Sequence, residues 1–75
     1  MAYKTQNLSI IGSALDEISW QWINDNHPQL AEAIETEVAR GATPDVIRRY
    51  VVQRTQRIEL ALRCEQAALH LVAVA

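Results

Sequence analysis

The chain has one cysteine, two glycines and two prolines among its 75 residues, and its longest uninterrupted apolar run is the closing LVAVA. Each scarcity excludes something. Cys64 can form no internal disulfide and has no second cysteine with which to build a structural zinc site, which points to a reducing compartment. The apolar run falls far short of the roughly 20 residues that a spanning helix needs. Behind Lys4 stands only SIIG and then acid, without the apolar core of a signal peptide, so the protein is expected to be cytoplasmic. Gly12 and Gly41 both sit at helix boundaries, which leaves no glycine-rich loop for phosphate. No alternating pattern argues for a strand, and there are no internal repeats or low-complexity tracts.

What remains is helical. A chain this short makes one domain, residues 1–75, which buries only about 60% of its unfolded surface and is marginal on its own. The opening MAYKTQN is polar, and residues 1–9 are expected to fray. From Ser13, a cap candidate with Asp16 and Glu17 in the first turn, the stripe Ile11, Leu15, Ile18, Trp22 predicts a first helix ending near NDNHP. Pro28 opens a second helix along Leu30, Ala33, Ile34 and Val38, and Gly41 stops it. Thr43 and Pro44 then cap and start a third helix, with Asp45 complementing its dipole. Nothing obvious breaks this helix before about residue 72, so it is expected to run for roughly 28 residues. The fold class is therefore all-α: a small three-helix domain with a helical hairpin and one long C-terminal helix.

The third helix carries the most informative pattern. Ile47, Val51, Arg54, Ile58, Ala61, Glu65, Ala68 and Val72 step alternately by four and three, a sustained heptad seam. Its two charged members, Arg54 and Glu65, lie about 16 Å apart along one helix, too far to pair within it. Reversing the helix about the point between Glu59 and Leu60 lays the seam on itself, with Arg54 opposite Glu65. An antiparallel homodimer would then neutralise both charges twice. The competing reading makes the seam the monomer's own core, receiving the stripe of the first helix. A second apolar row, Val46, Leu60, Cys64 and Leu71, gives the first two helices a place to dock while the seam stays free.

Charge divides unevenly. Residues 1–39 set Lys4 against Asp16, Glu17, Asp25, Glu32, Glu35 and Glu37, net −5; residues 40–75 set six arginines against Asp45, Glu59 and Glu65, net +3. The acidic half can fold onto the basic half, or each can face a partner. The segment RRYVVQRTQR, residues 48–57, suggests nucleic-acid contact through Arg40, Arg48, Arg49 and Arg57 as an alternative function. These arginines do not share one stripe, however, and the domain is acidic overall. Surface ion pairs with neighbouring acids are the plainer reading.

Trp20 and Trp22 lie about 200° apart on a helix, so only one can face the core. Trp22 continues the stripe; Trp20 is the candidate anchor for a protein partner. Catalysis and cofactor binding find little support. His27 precedes a proline at a helix start, His70 falls on a different helix face from Cys64, and no metal quartet can be assembled. The expected function is a small non-enzymatic regulator, adaptor or inhibitor that binds another protein through helical surfaces and forms a homodimer through the third helix. The expected interface is Trp20 with the eight seam residues. By analogy of size and class alone, such chains are common among bacterial and phage-encoded regulators.

Overall fold

The computed structural model describes residues 10–74, with side chains as far as residue 71. The expected fraying of residues 1–9 and the side chain of Val72 lie outside that range. Among the described residues there are four α-helices and no strand: α1 (Glu17–Asn26), α2 (Pro28–Ala39), α3 (Pro44–Thr55) and α4 (Ile58–Val74), preceded by a 3-10 turn at Ile11–Ser13. The all-α class, the helical hairpin and the long C-terminal helix hold. The third helix does not run unbroken, for residues 44–74 fold as two antiparallel helices, α3 and α4, whose pairing is the most extensive among the described residues.

The break falls at Gln56, whose left-handed backbone (φ 62°, ψ 16°) ends α3 while its N–H donates to the Val52 carbonyl at 2.7 Å. Thr55 braces the turn on both sides. Its hydroxyl donates to the Val51 carbonyl at 2.8 Å and accepts the Arg57 N–H at 3.1 Å. A glutamine in this conformation places its Cβ against the carbonyl, at a cost of about 1–2 kcal/mol, so local preference does not explain the turn. Packing does. Ile47 and Val51 of α3 and Ala61, Cys64 and Ala68 of α4 become buried members of one core, which a straight solitary helix would leave in water.

The other helix ends follow from local chemistry. Asp16, rather than Ser13, caps α1: a carboxylate oxygen accepts the Ser19 N–H at 2.8 Å, whereas the Ser13 hydroxyl donates back to the Ile10 carbonyl. The chain is therefore not helical between Leu15 and Asp16, and the stripe read from the sequence loses its phase there. Ile11 and Leu15 are buried, but within α1 the core takes Ser19 and Ile23, leaving Ile18 82% exposed and Trp22 half-buried. Pro28 occupies the first turn of α2, where its missing N–H leaves no bond unmade. The helix buries Leu30, Ala31 and Ile34, with Ala33 and Val38 only half-buried.

Gly41 ends α2 in the manner that a left-handed residue permits. At φ 88° it donates to the Val38 carbonyl, and Ala42 donates to Glu37, each at about 3 Å. Thr43 stands at the α3 cap position, but its hydroxyl donates to Asp45 at 2.7 Å instead of accepting a backbone N–H.

The acidic half of the chain does not lie ion pair by ion pair on the basic half. The ion pairs of the described residues are Glu37 with Arg40, Asp45 with Arg49, and Arg48 with Glu65. Of these only Glu37 with Arg40, three residues apart, joins the two halves, which meet in the shared core and where Arg63 of α4 donates to the Ser19 hydroxyl at 3.2 Å, beside the Asp16 carboxylate.

Candidate functional site: the outer face of the hairpin

The seam residues separate into two groups. Ile47, Val51, Ala61 and Ala68 are buried where α3 and α4 meet, so they form the monomer's core. Arg54 and Ile58, either side of the turn, are exposed; Arg54 places its guanidinium 5.6 Å from the centre of the Tyr50 ring. Glu65 is half-buried and pairs with Arg48 at 3.4 Å, not with Arg54. The reason is geometric. Arg48 lies eight residues before Gln56 and Glu65 eight after Arg57, so a fold at that junction brings those two opposite each other. The segment folds back within one chain, about a centre three residues earlier than the reversed pattern indicated and with Arg48 in the place expected for Arg54.

Of the second apolar row, Leu60 and Cys64 are buried and Leu71 is half-buried, whereas Val46 reaches the surface. Trp20 and Trp22 are both half-buried and both pack against the core, so the expected contrast between an outward and an inward tryptophan is not observed. Trp22 has two neighbours at its ring. The Arg57 guanidinium stacks 4.6 Å from its ring, and His27 lies tilted with ring centres 5.4 Å apart. Its charge–ring contact ties the start of α4 to α1.

What the packing leaves outside is concentrated on α4. Ile58, Leu62 and Leu69 are 65%, 45% and 56% exposed, and their spacing of four and seven puts them in one row along the helix. The row faces away from Leu60, Cys64 and Ala67, which fill the core. Between Leu62 and Leu69 along α4 stands Glu65, paired with Arg48 of α3. Single exposed apolar residues are ordinary, but three in register on one helix mark a surface that can dock. The sequence signal was available. Ile58, Leu62, Glu65 and Leu69 also step by four, three and four, and this second seam shares Ile58 and Glu65 with the first.

The arginines are largely engaged. Arg40 bonds Glu37 at 3.3 Å, Arg49 bonds Asp45 at 3.0 Å, Arg48 bonds Glu65, and Arg57 covers Trp22. The hydroxyl of Thr43 and then the Arg49 guanidinium hold the Asp45 carboxyl below its ordinary range. Cys64 is wholly buried. Burial, aided by the negative charge of Asp16, pushes its thiol up to about 12, so almost no thiolate exists at neutral pH. His70 is exposed and lines a shallow surface cleft with Asp16, Arg63 and Gln66, a cleft that Cys64 does not reach. Among the described residues no three His, Cys, Asp or Glu side chains stand close enough to hold a metal ion, and no helix is long and apolar enough to cross a membrane.

No family model, no curated protein and no solved structure matches this chain.

Proposed function

We propose that this is a non-enzymatic protein-binding module, an adaptor, regulator or inhibitor, that meets another protein through the outer row of α4 and self-associates through residues 44–74. The observation that carries the reading is the row of Ile58, Leu62 and Leu69 on the solvent side of the hairpin. A helix whose inner face already fills the core has no folding reason to place large aliphatic side chains in register on its outer face. An apolar helical face on the partner fits such a row, with the Arg48–Glu65 pair beside it supplying polar edges that fix register. The pairing of Arg40, Arg48 and Arg49 with neighbouring acids weighs against the nucleic-acid alternative, since phosphate would have to displace a carboxylate at each.

The test compares the wild-type protein with a Leu62→Glu, Leu69→Glu variant. Both positions are about half exposed, so melting temperature should change little while capture of a partner from the native host is lost. Captured protein must rebind in purified form and stay bound from low to moderate salt, where phosphate-dominated binding would fall by orders of magnitude. A partner held equally by both variants would defeat the assignment of the surface. Submicromolar, strongly salt-sensitive binding to DNA or RNA would replace it.

A further inference from the structure

The turn between α3 and α4 has the properties of a hinge set against its own sequence. It consists of Gln56 and Arg57 alone, without glycine or proline, and Gln56 is the one non-glycine residue of positive φ among the described residues. Glutamine and arginine are both good helix formers, and the heptad spacing continues through them from Ile47 to Ala68. The two seam positions that the hairpin strands at its tip are Arg54 and Ile58, both exposed. Straightening the turn would join α3 and α4 into one helix of 31 residues, Pro44 to Val74, and return Arg54 and Ile58 to the seam.

We infer that the protein dimerises by exchanging α4: the turn opens, α4 of each chain packs on α3 of the other, and two straightened helices lie antiparallel. The inference rests on the self-association part of the proposed function and specifies its mechanism. The balance of contacts favours it. Every α3–α4 contact of the closed chain can be remade between two chains, including Arg48 with Glu65, because the two-fold axis then passes between Gln56 and Arg57, the point about which the hairpin already folds. The exchange gives up the turn, whose left-handed glutamine is relieved, and covers Ile58 near the axis, while the contacts of Arg57 with Trp22 and of Arg63 with Ser19 re-form between chains. A two-residue connection that holds a glutamine in a disfavoured conformation is the geometry in which such exchange competes with closure.

The occupant of the exposed seam positions is thus a second copy of this chain. The experiment uses the full chain with Gln56→Gly, which removes the Cβ conflict of the closed turn and weakens a continuous helix, and Gln56→Ala, which keeps that conflict and strengthens the continuous helix. Sedimentation should show a dimer for Gln56→Ala with a dissociation constant at least about tenfold below that of Gln56→Gly, with wild type between them. Circular dichroism checks that both variants remain folded. Spin labels at Arg49→Cys and His70→Cys, with labelled chains diluted into unlabelled ones, then read the distance within one chain; buried Cys64 is shielded from the reagent. In the closed chain the labels sit on adjacent helices, whereas along a straight helix their 21-residue separation becomes about 32 Å. A long distance confined to the dimer supports exchange. A dimer whose labels stay close overturns exchange but leaves self-association standing, and monomers throughout at high micromolar concentration overturn both.

Discussion

Arg48 on α3 places its Nε 3.4 Å from a carboxylate oxygen of Glu65 on α4, and this pair crosses the two helices at equal distances from their turn. Both side chains keep about a third of their surface in water, so screening limits what the pair contributes. A double-mutant cycle of Arg48→Ala and Glu65→Ala in urea should return a coupling of about 0.5–1 kcal/mol. The same cycle with Arg54→Ala in place of Arg48→Ala should be additive, because Arg54 lies over Tyr50 and does not pair with Glu65. Coupling to Arg54 but not to Arg48 would mean that the helices meet in a different register in solution.

That register shows how much was legible beforehand. The all-α class, the second helix with its Pro28 start and Gly41 stop, and the start of α3 at Pro44 all follow from residues whose backbone preferences are strong. Gln56 carries no such signal. Nothing local distinguishes T-Q-R from the interior of a helix, and the turn forms because burying Ile47 and Val51 against Ala61 and Ala68 outweighs the local preference. Ile47, Val51, Ala61 and Ala68 of the expected seam do meet in the core, yet periodicity does not specify whether the residues that meet belong to one chain or two. Ile58 stood in the expected interface, but Leu62 and Leu69 were not read beside it, for a related reason. Ile58, Leu62 and Leu69 look like core until it is known that Leu60, Ala61 and Cys64 already face inward.

The phase of α1 gives a direct comparison. Ile23 is completely buried and Ile18 is the most exposed large apolar side chain of those described, although the stripe from Ile11 and Leu15 assigned Ile18 to the core. Ile23→Ala should destabilise the domain by about 2–5 kcal/mol, and Ile18→Ala by no more than about 0.5 kcal/mol. Chemical denaturation of the two variants measures both. Equal losses would place Ile18 inside and restore the uninterrupted stripe.

The cap of α1 carries a pH dependence whose sign is fixed. The Ser19 N–H, then its hydroxyl, with Arg63 nearby, hold the Asp16 carboxyl below its ordinary value, so the folded protein binds the ionised form preferentially. The contribution is complete above the unfolded value of about 3.9 and is lost as pH falls through the lower folded value. Asp16→Ala should therefore cost about 1 kcal/mol at neutral pH, the usual loss of an N-cap, and the gap from wild type should narrow as pH drops below that unfolded value. Asp16→Asn keeps an oxygen that can accept the Ser19 N–H and should recover most of the stability without that pH dependence. Urea unfolding of the three proteins across acid and neutral pH measures the effect, and an Asp16→Ala deficit that stays constant down to pH values well below the carboxylate range would show that the cap acts through shape rather than charge.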